Sequence, residues 1–104
     1  MEISNLETIP GKNVVEYIGL VSGSTVRAKH IGRDLMASFK NIIGGELTGY
    51  SELLQESRHE AMERMIAQAA KLGANAILNV RFSTSSVAQG AAELYVYGTA
   101  VRID

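Results

Sequence analysis

Cysteine is absent from this chain of 104 residues, and its absence excludes several kinds of chemistry. No disulfide can form, no thiolate can act as a nucleophile, and no thiolate can bind a metal ion. Soft heavy metals prefer sulfur ligands. A metal site in this protein would therefore have to use imidazole and carboxylate groups.

The chain also lacks an excess of charge of either sign. Ten Lys and Arg residues stand against eleven Asp and Glu residues, which leaves a net charge of −1. A nucleic-acid-binding domain normally presents a basic face that neutralises phosphates. We therefore expect no nucleic-acid partner.

Long hydrophobic runs are missing as well. The longest stretch without a charged residue, residues 82–92, is too short and too polar to span a bilayer. The opening "MEISNLETIPG" has no basic start followed by an apolar core, so it does not resemble a signal peptide. We expect a cytoplasmic protein with no membrane partner.

The length and composition predict one small domain, residues 1–104. Hydrophobic residues make up 46% of the chain, which is enough to form a core. A domain of this size still leaves much of its apolar surface uncovered, and a partner chain often covers the remainder.

Three segments have the residue pattern of strands. The first, Val14–Ala28, is apolar on both faces, and Gly19 and Gly23 within it indicate a bulge, a bend or a close approach of another backbone. Residues 75–86 and 93–103 alternate and are joined by the turn sequence "SVAQGA", so they should form an antiparallel hairpin. In the second strand we expect Leu78, Val80 and Phe82 to share one face.

Two segments have helical periodicity. Residues 30–43 carry one apolar stripe, and a longer helix should begin near Thr48 or Gly49, end at Leu72 and stop at Gly73. The predicted inward stripe of the longer helix contains Tyr50, Leu54, Ala61, Met65 and Leu72. The predicted fold class is therefore α+β, a small antiparallel sheet with two packed helices.

The longer helix carries a second apolar band beside this stripe. Met62, Ile66 and Ala70 are turned away from the predicted sheet by about a quarter-turn or more at 100° per residue. A small monomer rarely leaves such a band open to water. We predict that these three residues lie at an oligomer interface, or under the first helix if that helix folds across them.

The outer face of the same helix offers the best candidate metal ligands. His59 and Glu63 lie four residues apart on one side, and Glu56 and Glu52 lie on the same side one and two turns earlier. Imidazole and carboxylates suit zinc, nickel or cobalt, so His59, Glu63 and Glu56 are candidate ligands of a divalent metal ion. The alternative is an ordinary solvated helix face.

The sequence "HEAME" at residues 59–63 lacks the second histidine of the zinc-protease motif H-E-x-x-H. We expect no enzyme.

Arg58 is the candidate ligand-binding residue. Its position predicts that it lies beside the inward stripe, where a guanidinium needs a partner because an unpaired buried charge is costly. It could pair with a carboxylate of a neighbouring subunit or hold an anionic ligand in a cavity. In the alternative interpretation its aliphatic stem packs and its charged end reaches solvent.

The order of these segments resembles the YbjQ-like family of small bacterial and archaeal proteins. Its most specific parts are "GGELTGYSELL" at 44–54, "LGANAILNVRF" at 72–82 and "YGTAV" at 97–101. The resemblance implies an α+β subunit that assembles into a homopentameric ring. It also implies the family's description as heavy-metal-binding proteins of otherwise unknown function. Two functions follow: a protein that binds a metal ion or small ligand at a subunit interface or central cavity, or a scaffold with no small ligand.

Overall fold

A computed structural model of the chain describes residues 1–28, 48–88 and 91–104. The elements in these ranges are β1 (Glu2–Ile3), β2 (Val14–Ala28), α1 (Thr48–Lys71), β3 (Ala76–Ala88) and β4 (Ala91–Ile103). The described residues thus contain one helix rather than the two predicted. The predicted helix at residues 30–43 lies outside them.

The four strands form one sheet in the order β1-β3-β4-β2. β2 and β3 both pair with β4 in antiparallel fashion, which confirms the predicted hairpin. β1 runs parallel to β3, with Glu2 beside Ala76 and Ile3 beside Ile77. The prediction of an antiparallel sheet was therefore wrong, and the sheet is mixed. A strand of two residues is too short to produce a periodic pattern that sequence analysis could detect.

Helix α1 begins at the predicted Thr48, ends one residue before the predicted Leu72, and packs on one face of the sheet. It ends at Lys71, and Gly73 follows with a φ of +87°, the left-handed conformation that glycine adopts after a helix. The completely buried positions are four residues apart: Ser57, Ala61, Met65 and Ala69. Leu72, predicted in this stripe, is 51% exposed because it lies in the turn beyond the helix.

The helix lies against β2 at Gly23. A Cβ atom at this position would stand 2.6 Å from the backbone nitrogen of Met65 and closer still to the carbonyl oxygen of Ala61. Only a residue without a side chain fits there. The absence of a side chain lets Ala61 and Met65 reach the sheet core, which is formed by Val21, Ile77, Val80, Val96 and Ala100.

The other face of the sheet is covered at one end by the N-terminal segment. Ile9 and Val14 pack against a second buried cluster, whose members are Ala76, Leu78, Val101 and Ile103. The side chain of Asn75 fastens this end of the sheet: its amide donates to the carbonyl of Ile103 at 2.8 Å and its oxygen accepts from the Ile103 amide at 2.7 Å. The N-terminal residues are therefore part of the fold.

A bulge in β3 moves side chains between these two clusters. Asn79 has a φ of +54°, and the pairing with β4 shifts by one residue between Leu78 and Arg81. As a result Leu78 belongs to the cluster under the N-terminal segment, while Val80 belongs to the cluster under α1. The prediction that Leu78 and Val80 share one face was wrong, because strict alternation does not continue through a bulge.

Gly98 in the centre of the sheet also excludes a side chain. A Cβ there would lie 2.6 Å from Cγ2 of Ile77, 3.0 Å from the carbonyl oxygen of Leu78 and 3.2 Å from Cγ2 of Val80. The close approach expected from a glycine inside a strand is thus present.

We predict that Gly98→Val destabilises the subunit by about 1–3 kcal/mol or more, the usual cost of forcing extra volume into a packed core. Thermal unfolding followed by circular dichroism measures the change. Thr99→Val in the adjacent position is the control and should retain the wild-type midpoint more closely. An equal or higher melting temperature for Gly98→Val would refute the close-approach role.

Gly23→Ala should be more damaging than its size suggests. The added methyl group meets the backbone of Ala61 and Met65 rather than the end of a flexible side chain, so helix and strand must separate. We expect a large loss of unfolding free energy in urea, with Ser22→Ala as the neighbouring control. Wild-type stability of Gly23→Ala would show that α1 does not lie this close to β2.

Candidate functional site

The predicted metal ligands His59 and Glu63 are neighbours on the outer face of α1. Nε2 of His59 lies 3.4 Å from Oε1 of Glu63, as expected for residues one turn apart. Their side chains are 72% and 63% exposed. A pair this exposed contributes little to stability. The same exposure leaves both side chains accessible for another interaction.

The described part of the chain does not form a complete metal site around this pair. Within residues 1–28, 48–88 and 91–104, no three His, Cys, Asp or Glu side chains are placed so that they could hold a metal ion. Glu56, the third predicted ligand, is exposed on α1 but does not complete such a group with His59 and Glu63. The pair therefore offers two ligands, fewer than the three or four protein ligands of a zinc site.

Arg58 lies on the surface. It is exposed, whereas its neighbour Ser57 is completely buried. The sequence analysis had placed Arg58 beside the buried stripe. The carbonyl of Ser57 accepts a hydrogen bond of 3.1 Å from Oγ1 of Thr25, which is also buried. Sequence reasoning missed this polar contact because its two members are 32 residues apart in the sequence. The predicted ligand-binding role of Arg58 stays a prediction.

The predicted interface band is divided by the fold. Met62 and Ile66 are half-buried and pack against the sheet core beneath α1, whereas Ala70 is exposed. The first two residues thus already contribute to the subunit's own core at their inner edges. The remaining exposed surface of all three is available for contact with a second subunit.

The sheet face opposite α1 is open beyond the part that the N-terminal segment covers. We call this surface the open sheet face, and it carries Tyr17, Leu20, Val26, Tyr95 and Tyr97. Tyr17 and Leu20 are 70% and 71% exposed. The rings of Tyr95 and Tyr97 lie 5.6 Å apart. Four of these side chains, Tyr17, Leu20, Val26 and Tyr97, are thus exposed on one face of the sheet.

Two polar side chains of α1 contact the backbone of the edge strand β2. Oε1 of Gln68 accepts from the amide of Ser22 at 2.8 Å, and Nη1 of Arg64 donates to the carbonyl of Ser24. In the sequence these residues are simply the polar side of a helix. Only the position of β2 shows that they satisfy its outward-facing backbone groups.

No helix in the described ranges is long and apolar enough to cross a membrane.

Comparison with known proteins identifies the family. The YbjQ family model, described as "Putative heavy-metal-binding", matches residues 1–104. The chain is 70% identical over 104 residues to a UPF0145 protein of Hahella chejuensis, and the match covers 100% of both chains. It is 55% identical over 101 residues to a UPF0145 protein of Archaeoglobus fulgidus, covering 97% of this chain and 94% of that one.

The chain belongs to the YbjQ family. A crystal structure of a protein of unknown function from Pediococcus pentosaceus has the same fold as this member of the YbjQ family. The TM-score is 0.66 at 16% sequence identity, covering 100% of this chain and 98% of that chain. YbjQ relatives occur in both bacteria and archaea.

The family description fits this YbjQ protein poorly at the level of one chain. It has no cysteine anywhere in its sequence, and its described residues bring together no more than the His59–Glu63 pair. Soft metals favour thiolate ligands. The described residues of a single chain therefore hold too few donors for the site that the description implies.

Ala70 provides the cleanest test of the predicted interface band, because it is exposed and Ile66 is not. We predict that Ala70→Asp keeps the wild-type circular dichroism and melting temperature but sediments as a smaller species, since it places a charge in a contact between subunits. Ala67→Asp, also on the exposed surface of α1, is the control. Wild-type size for Ala70→Asp would exclude Ala70 from the interface.

Proposed function

We propose that this YbjQ protein is a non-enzymatic homo-oligomer, assembled as a homopentameric ring in the cytoplasm, that binds its ligand where subunits meet. The observation that carries the proposal is the open sheet face. Tyr17 and Leu20 expose more than two-thirds of their surface on it, and Tyr97 exposes 36% although it lies on the central strand β4.

The energetics of apolar surface favour assembly over a free monomer. Burial of apolar area contributes roughly 25 cal/mol per Å², and monomeric soluble proteins rarely expose large contiguous apolar patches. The open sheet face combines aromatic and aliphatic side chains on strands that are held rigidly by their neighbours. Such surfaces are typical of contacts between protein chains.

The absence of an enzymatic role is part of the same proposal. A nucleophilic serine needs a nearby base and a group that orients the base. The chain has two histidines. One of them, His59, contacts Glu63 at the protein surface. At the surface, His59 lacks the desolvated environment in which catalytic groups usually act.

A metal ion shared between subunits is the second candidate function, and the His59–Glu63 pair favours it. Two ligands from one chain are too few for zinc, but copies of this pair that converge on the axis of a ring would supply more. Imidazole nitrogen and carboxylate oxygen are both zinc ligands. A scaffold that uses the ring only to hold another protein is the alternative without a ligand.

Native mass spectrometry of the protein purified from its own cells tests the proposal. We expect a pentamer, with any retained ligand visible as added mass. Wild-type protein and His59→Ala, both dialysed against zinc, form the second comparison. If zinc binds at the subunit contacts, the wild type should retain more metal than His59→Ala.

The outcomes separate the parts of the proposal. A monomer at micromolar concentration would contradict the oligomer. A pentamer that binds zinc equally in the wild type and in His59→Ala would contradict the metal site and leave the assembly intact. Since the His59–Glu63 pair is exposed, the substitution should not disturb folding.

A further inference from the structure

The middle of the open sheet face carries two tyrosines beside an arginine. Tyr95 and Tyr97 are two residues apart on the central strand β4, so their side chains point to the same side of the sheet. Their ring centroids lie 5.6 Å apart at an interplanar angle of 30°. Arg81 of β3 is the register partner of Tyr97, and residues paired in this way share a face with their Cβ atoms about 5 Å apart. We call these three residues the tyrosine–arginine group.

Small hydroxyl side chains surround the two rings. Apart from Arg81, the residues directly opposite the rings on β2 and β3 are serines: Ser22, Ser24 and Ser83. A serine side chain is too short to cover a neighbouring tyrosine ring. Tyr97 accordingly keeps 36% of its surface exposed although its strand has a neighbour on both sides. The two rings therefore stand above a floor of hydroxyl groups.

Arg81 is a positive charge that is fixed in position. Its Nη1 atom donates to the carbonyl of Asn5 at 2.7 Å and to the carbonyl of Val80 at 3.0 Å. Both bonds use one of the three guanidinium nitrogens, and a guanidinium has five N–H donors in a planar fork. Arg81 is exposed, and no carboxylate within the described part of the chain forms an ion pair with it. The side chain thus has capacity for further hydrogen bonds on the open sheet face.

This combination of side chains matches a flat ring that carries an anionic group. Aromatic rings stack on tyrosine, and a guanidinium binds carboxylate or phosphate oxygens through paired hydrogen bonds. Neighbouring strands lie about 4.8 Å apart, so a ring stacked on Tyr97 brings a directly attached anionic group within reach of Arg81. Glu93 is on the same face but four residues along β4 from Tyr97, about 13 Å away.

We propose that the tyrosine–arginine group binds a small aromatic anion, with the ring on Tyr95 and Tyr97 and the anionic group on Arg81. This inference rests on the proposed function, and it names the class of ligand and its position. A flat sheet covers only one side of such a molecule, whereas small-ligand sites enclose most of the ligand's surface. The neighbouring subunit of the proposed ring covers the other side.

The distribution of charge favours a small anion over a nucleic-acid strand. Tyrosines and arginines also occur where proteins bind single strands by stacking. Such proteins present several cations along the strand, one for each phosphate contact. Arg81 is the one cation among the described strand residues that share this face with the tyrosines, and the whole chain has a net charge of −1.

Amide NMR of the native wild-type assembly tests the site with phenyl phosphate and with benzoate, which separate a phosphate from a carboxylate ligand. We expect at least one of the two to shift the resonances of Arg81, Tyr95 and Tyr97 until they saturate, without affecting those of His59 and Glu63. Phenol and inorganic phosphate each provide only part of the ligand and should bind at least tenfold more weakly.

The outcomes of this titration are distinct. An intact oligomer in which neither probe shifts these resonances would overturn the site and leave the oligomer unaffected. Phosphate that binds as tightly as phenyl phosphate would overturn the stacking on the tyrosines. A single-stranded oligonucleotide that displaces the probes at lower concentration would overturn a small anion as the occupant. A monomeric wild type would instead overturn the proposed function.

Two matched pairs of variants provide an independent readout. Arg81→Gln should weaken binding of the tighter probe about tenfold or more, whereas Arg102→Gln, which removes an exposed arginine that contacts Glu16, should not. Tyr97→Leu should weaken binding as well, whereas Tyr97→Phe retains the ring and the affinity. Wild-type affinity in Arg81→Gln or Tyr97→Leu would refute the site. If either variant fails to fold, the resonance shifts of the wild type decide.

Discussion

The missing side chain of Gly23 is the constraint on which this structure depends. It lets the backbone of α1 come within contact distance of β2, so that even the small side chain of Ala61 is completely buried. Because the spacing is short, Thr25 reaches the carbonyl of Ser57, and the polar side chains of α1 reach the backbone of the edge strand. A wider separation would remove all of these hydrogen bonds together and leave a gap in the core.

This close approach also gives α1 two functions with respect to the sheet. Its apolar side forms the core, and its flank, through Arg64 and Gln68, occupies part of an edge that would otherwise pair with another strand. The outermost side, with His59 and Glu63, makes neither kind of contact with the sheet. The three sides of one helix thus serve stability, protection of an edge and exposure of charged groups.

Much of the fold could be predicted from the sequence, because its main elements have strong local patterns. The bounds of α1 follow from its periodicity and from Gly73, and the hairpin follows from the alternation on either side of Gly90. The predictions of strand direction and of side-chain face were wrong where local sequence patterns do not determine the backbone. The two-residue strand β1 has no pattern of its own, and the left-handed conformation of Asn79 moves Val80 to the face opposite Leu78.

The candidate site was predictable only in part, for the same reason. The contact between His59 and Glu63 is local and follows from their spacing on a helix. The burial of Ser57 in place of Arg58, and the contacts of Arg64 and Gln68 with β2, depend on how the helix is rotated about its axis. A wide apolar arc does not determine that rotation to better than one residue.

The position of β4 has a consequence for how the protein is made. β4 comes after β2, α1 and β3 in the sequence, yet it lies between β2 and β3 and provides the pairing for both. While the chain is being synthesised, β2 and β3 have no common neighbour, and α1 has only part of a sheet to cover. Cooperative folding must therefore wait until β4 has left the ribosome. During that interval the apolar side chains of β2 and β3 are exposed, and this is the stage at which chaperones would most readily bind the growing chain.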